Sequence, residues 1–85
     1  MKINNLTSPK TNKPVANQVS VEHKGELWFS SYGTTIARYV RKTGKLYLDE
    51  YYFNYSVTTS KYLNCFLSEN SLNKDNAIYK NLQEL

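Results

Sequence analysis

The sequence predicts an α+β fold: a small antiparallel β-meander of three to four strands followed by two short helices packing on one face. Three observations predict it. The three glycines, Gly25, Gly33 and Gly44, fall in polar bends eight and eleven residues apart, which is the spacing of a short-stranded meander. Between them, β-favouring residues such as Val19, Val21, Trp28, Phe29, Ile36, Tyr39 and Tyr47 dominate, while after Tyr55 the apolar period becomes helical. An antiparallel sheet also needs one face covered, and helices laid across it complete the core.

The elements follow in order. Residues 1–14 hold Lys2, Lys10 and Lys13, no acid, and a run of Asn, Thr, Ser and Pro. They bury no face of their own and are expected to form a flexible basic N-terminal arm, leaving residues 15–85 as the α+β domain. Strands are expected at about 17–22, 26–32, 34–41 and 45–49. The first two are joined by His23-Lys24-Gly25-Glu26, with glycine where a positive φ is wanted. In the third, Ile36, Tyr39 and Val40 also sit at helical spacing, with Thr34 and Gly44 as caps; its Thr, Ile, Tyr and Val content favours the strand. Tyr62, Leu63, Phe66 and Leu67 then form an apolar helical stripe. Thr58 or Thr59 is expected to cap this helix, which should run to about Ser68. A second amphipathic segment carries Ile78, Tyr79, Leu82 and Leu85 and is expected to be a C-terminal helix begun at Asn73.

Composition excludes several function classes. The chain has 85 residues, one Cys and one His, so neither an internal disulfide nor a four-ligand zinc module built on Cys and His can form. A stretch of 18 apolar residues is absent, as is an apolar leader segment, so no membrane role is expected; the protein should be cytosolic with Cys65 reduced. Cys65 and His23 are the only nucleophile and imidazole pair. Cys65 falls beside the helical stripe and His23 on a hairpin tip, which reads as a small packed thiol and a solvated histidine. Asp49-Glu50, the one adjacent acidic pair, reads as a strand end facing water rather than a metal site. No catalytic residue, no metal ligand and no cofactor is expected.

Two surfaces stand out. Arg38, Arg41, Lys42 and Lys45 lie between Thr34 and Leu48 without an intervening acid, and they include both arginines of the chain. Arginine suits bidentate contact with carboxylate or phosphate. In a hairpin, Arg38 and Lys42 fall on one face and Tyr39 with Arg41 on the other, so Tyr39 and these cations could meet an acidic protein surface or track a nucleic acid. A plain solvated hairpin tip explains the same residues. The second surface is Tyr51-Tyr52-Phe53-Asn54-Tyr55. Its tyrosines suit interface anchoring, with Phe53 and one tyrosine expected to turn inward and the others, among Tyr51, Tyr52 and Tyr55, outward. Just beyond, Ser56, Thr58, Thr59 and Lys61 supply more hydroxyls than a helix cap needs and form a candidate anion-binding set, against capping alone. The net charge of +4 is thus concentrated in the arm and the hairpin. Nine Lys, ten Asn and eight Tyr also match AT-rich codon usage, which explains part of that charge without a partner.

Four ordered segments carry a resemblance: Pro14-Val15-Ala16-Asn17-Gln18, the run from Phe29 to Arg38, Gly44 to Asp49, and Tyr52 to Asn64. They resemble a family of short uncharacterised phage and prophage proteins with a PVANQ start, an F-x-SY-x-x-x-IA core and a YS-x-TTSK-x-x-N helix entry. Where members often carry Trp-Asp, this chain has Phe53-Asn54. The resemblance implies a phage accessory protein acting in the host cytoplasm. The expected function is a non-enzymatic binder that inhibits a host or anti-phage defence protein, of the anti-CRISPR type among others, as monomer or homodimer. The alternatives are a nucleic-acid-binding accessory using the basic, tyrosine-rich face and a homo-oligomeric assembly accessory.

Overall fold

A computed structural model describes residues 2–83. It contains six strands, β1 (Lys2–Thr7), β2 (Pro14–His23), β3 (Glu26–Ser31), β4 (Thr34–Val40), β5 (Lys45–Asp49) and β6 (Ile78–Lys80), with one helix, α1 (Val57–Glu69), between the last two. They form one sheet in sequence order, antiparallel from β1 to β5 and parallel between β5 and β6.

The central hairpins form where the glycines predict them. Lys24 and Gly25 both have positive φ, 49° and 77°, the two-residue turn whose twist matches that of its flanking strands. Tyr32 and Gly33 repeat the geometry between β3 and β4, at 53° and 80°. Residues 34–40 are strand, so β-propensity outweighs the helical spacing of Ile36, Tyr39 and Val40.

The meander of three to four strands with two helices is overturned at both ends. Lys2–Thr7, expected as part of a flexible arm, is an edge strand pairing with β2 from Lys2↔Glu22 to Thr7↔Pro14. Its apolar residues, Ile3 and Leu6, lie on opposite faces and so give no two-residue alternation; Leu6 alone enters the core, 3% exposed. At the other end the described residues hold no second α-helix. Asn73 does cap, accepting from the Asp75 N–H at 2.9 Å, but it starts only a 3₁₀ turn over Lys74–Asn76. The chain then extends into β6, where Ile78 and Tyr79 have β-favouring side chains. A helix crossing over the sheet returns its chain parallel to the strand it left, and β5 offers the free edge. Of the expected apolar stripe, Leu82 is buried, Ile78 and Tyr79 are exposed, and Leu85 lies outside the described residues.

A 13-residue helix is marginal by itself in water, so α1 is held by its stripe and its ends. Tyr62, Leu63, Phe66 and Leu67 are all buried, each contributing on the order of 2 kcal/mol. Ser56, rather than Thr58 or Thr59, is the N-cap; its Oγ accepts from the Thr59 N–H at 3.1 Å. Its φ and ψ of −143° and 164° are still extended, so the helix starts at Val57, two residues earlier than a Thr58 cap and three earlier than a Thr59 cap would place it. At the other end Ser71 takes φ 54°. Its N–H donates to the Ser68 carbonyl at 3.2 Å and that of Leu72 to the Leu67 carbonyl at 2.8 Å, a Schellman closure.

The helix covers one face of the sheet. Phe29 and Phe66 stack at 5.6 Å between centroids, and Leu27, Ala37, Leu46 and Leu48 surround them. The opposite face has no helix. A single register row crosses it through all six strands: Ile3↔Val21, Val21↔Trp28, Trp28↔Arg38, Arg38↔Tyr47 and Tyr47↔Ile78. Here cations lie on rings, with the Arg38 guanidinium 5.1 Å from Trp28 and 5.7 Å from Tyr47, and Lys80 Nζ 5.3 Å from Tyr47. Such stacks cover apolar surface while keeping charge in water.

Candidate functional site

The basic hairpin does not converge on one spot. Arg38 faces the open side, where its Nε donates to Glu26 Oε1 at 2.6 Å. The hydrogen bond to Arg38 holds the Glu26 carboxyl below its ordinary pKa and raises that of Arg38 in return. Tyr39 lies opposite Leu27 and Leu46 and packs half-buried against the core. Arg41, in the turn, pairs with Glu22 at 3.3 Å. Both arginines are thus engaged within the chain, Arg41 while exposed, and the exposed cations of the hairpin without such a salt bridge are Lys42 and Lys45.

The tyrosine segment is organised by a residue whose role its sequence context conceals. Asp49, expected to face water, is 1% exposed. Its carboxylate accepts from the Tyr51 and Tyr52 N–H groups at 2.9 and 2.8 Å, from the Leu82 N–H at 3.0 Å and from Gln83 Nε2 at 2.9 Å. Burial pushes its pKa up, but the donors from Gln83, Leu82, Tyr52 and Tyr51 outweigh that and hold it below the ordinary Asp value. One side chain therefore fixes both the tyrosine loop and the C-terminal segment. An aspartate followed by a turn, with amides free two and three residues on, was the available signal; the contact with Leu82 had none.

On this frame Tyr52 and Phe53 are half-buried against the core, while Tyr51 and Tyr55 are each 68% exposed. Their rings touch one another: Tyr51 and Tyr52 edge-to-face at 4.8 Å, Tyr52 and Tyr55 at 5.4 Å, Tyr51 and Tyr55 at 6.4 Å. Across a recess of ≈ 420 Å³, lined also by Ile36 and Thr34, stands Tyr32 from the β3–β4 turn, 62% exposed. The sequence reading assigned Tyr32 no role. Tyr32 has φ 53°, and a tyrosine at positive φ costs on the order of 1 kcal/mol where Gly or Asn would not; no sequence pattern marks it.

The hydroxyl set separates. The Ser56 and Ser31 hydroxyls both meet Thr59 Oγ1, each at 3.1 Å, forming one wall of the same recess. Thr58 and Lys61 are exposed, and Lys61 Nζ sits 5.4 Å from the Tyr62 ring. Ser56 and Thr59 thus serve the cap and the helix–sheet contact. Several motif residues are likewise structural: Phe29, Ile36, Ala37 and Thr59 are buried. Cys65 packs beside the core and His23 is exposed. Among the described residues, no three His, Cys, Asp or Glu side chains gather where a metal could sit, and no helix is long and apolar enough to cross a membrane.

No curated protein and no solved structure matches the chain. The profile of a family of unknown function, DUF8033, matches residues 1–82, and the chain belongs to that family.

Proposed function

We propose that the chain is a non-enzymatic binding protein that docks a partner protein on the surface formed by Tyr32, Tyr51, Tyr52 and Tyr55 and occludes that partner's working surface. The observation supporting this most directly is the exposure of Tyr51 and Tyr55 on a loop that Asp49 clamps from below. Rigid, exposed tyrosines provide large amphipathic contact area at little entropic cost on binding. The internal pairing of Arg38 and Arg41 shifts the weight from the basic hairpin to this surface, with Lys42 and Lys45 left to steer an acidic partner. The resemblance to phage and prophage proteins points to a partner in the host cytoplasm, a host or anti-phage defence protein such as a CRISPR nuclease, and so to an inhibitor.

A tagged copy expressed in its host should recover a stoichiometric protein. The double variant Tyr51→Ala/Tyr55→Ala should lose that partner while keeping the wild-type circular dichroism spectrum. Undiminished recovery by the double variant, or no stoichiometric partner for the wild type, would overturn the reading.

A further inference from the structure

The helix-free face of the sheet is a second surface, separate from the tyrosine recess. At its centre Trp28 and Tyr47 stand on β3 and β5, about 10 Å apart at two strand spacings, with the Arg38 guanidinium between them. Lys80 lies against the outer ring, and Lys45 is exposed two residues along β5 from Tyr47, on the same side of the pleat. Glu26, paired with Arg38, is the carboxylate in this group. Asp49 shares the parity of Tyr47, but its carboxylate is enclosed by Leu82 and Gln83.

We propose that this face binds single-stranded nucleic acid, with bases stacking on Trp28, the Arg38 plane and Tyr47, and with phosphates meeting Lys45 and Lys80. Charge selects the occupant. A second copy docked across a two-fold axis would bring Arg38, Lys45 and Lys80 against like charges, whereas a polyanion is complementary to three cations set, among the described residues, against the one accessible carboxylate of Glu26. The rings narrow the choice further. Planar side chains interleaved with cations serve unstacked bases, which present π faces, whereas duplex bases are already stacked on one another. Arg38 fits this use because Glu26 and the two rings hold its guanidinium plane in place, pre-organised as a stacking surface.

Trp28 is the one tryptophan in the chain and reports on the face directly. An oligothymidylate of about ten nucleotides, within the usual span of such a surface, should quench its fluorescence at low salt. Binding should fall with salt at a slope of about 1.4 log units per log unit for two phosphate contacts on a single strand. Lys45→Ala and Lys80→Ala should each reduce that slope by about 0.7. Trp28→Ala, followed by anisotropy of a labelled oligonucleotide, should weaken binding about tenfold. The double variant Tyr51→Ala/Tyr55→Ala should bind oligothymidylate like the wild type, which separates this surface from the protein-docking one. No quenching at low salt, equal affinity for a duplex or for polyglutamate of the same charge, or slopes unchanged in both lysine variants would overturn the proposal.

Discussion

Trp28 and Phe29 are consecutive aromatic residues in β3 and read alike in the apolar run Leu27-Trp28-Phe29, yet they belong to different environments. Phe29 is fully buried, stacked on Phe66; Trp28, one pleat step away, lies half-buried on the helix-free face beneath Arg38. The difference teaches how an 85-residue chain supports a six-stranded sheet with one helix. One face is stabilised by removing apolar surface from water, the other by laying long cations over rings whose edges stay wet. The first face leaves its residues no freedom to do anything else, while the second keeps rings and charges within reach of a partner.

The largest effect that would break this contrast is in the core. Phe29→Ala should cost about 3–5 kcal/mol, a large share of what a domain of this size has, and should leave much of the protein unfolded in a urea titration at 25 °C. A loss below about 1 kcal/mol would mean that the helix-covered face is not the principal core.

Next comes Asp49, which ties the sheet's last antiparallel strand to both the tyrosine loop and the C-terminal segment. Asp49→Asn replaces a charged acceptor of four donors and should cost roughly 2 kcal/mol at neutral pH. The pH dependence follows from the sign of the shift. Because the folded carboxyl titrates below its ordinary value, its contribution is complete above about pH 5, beyond the ordinary Asp pKa of about 3.9, and is lost as pH falls from there through the depressed folded value. Acid unfolding of the variant should keep only the smaller limb due to Glu26, whose pKa is also lowered. A wild-type acid limb in Asp49→Asn would show that the clamp is not electrostatic.

These two residues also mark what can and cannot be read from a sequence. The hairpins at Lys24-Gly25 and Tyr32-Gly33 and the stripe Tyr62, Leu63, Phe66 and Leu67 were legible because each is a local pattern, a turn dipeptide or a period. The edge strand β1 was not: it holds its place by backbone pairing with β2 and by Leu6, and Lys2, Asn4 and Asn5 look like any polar arm. The C-terminal segment was misread because the spacing of Ile78, Tyr79 and Leu82 fits a helix, while the free edge of β5 and the Asp49 carboxylate, both distant in sequence, decide its course. At the candidate site, the Tyr51–Tyr55 run was visible as composition. Its partner Tyr32 was not, since only the turn geometry brings it to the same recess.

A smaller effect tests the junction between sheet and helix. Ser56→Ala removes the N-cap acceptor of the Thr59 N–H and should cost about 1 kcal/mol, visible as a lower urea midpoint with unchanged slope. Thr58→Ala, at the residue whose hydroxyl the paired-threonine pattern favoured, should cost less than half as much, because Thr58 is exposed and Thr59 is not. Equal losses would return the cap to the threonines.

A further modest effect probes the open face itself. Arg38→Gln removes an ion pair whose two side chains are 25% and 27% exposed, together with contacts to two rings. Partial solvent screening limits the pair to under about 1 kcal/mol, and each ring contact adds about 0.5 kcal/mol at such a site. The whole substitution should therefore cost about 1–2 kcal/mol, less than half the cost of Phe29→Ala on the other side of the same sheet. A double-mutant cycle with Glu26→Gln separates the ion pair from the rings: the coupling should be well under the total, with the remainder persisting when Glu26 is already neutral. A loss as large as that of Phe29→Ala would make the Arg38 ladder a second core, with its rings committed to folding. A small loss leaves Trp28 and Tyr47 held by weak contacts that a bound base could replace without unfolding the sheet.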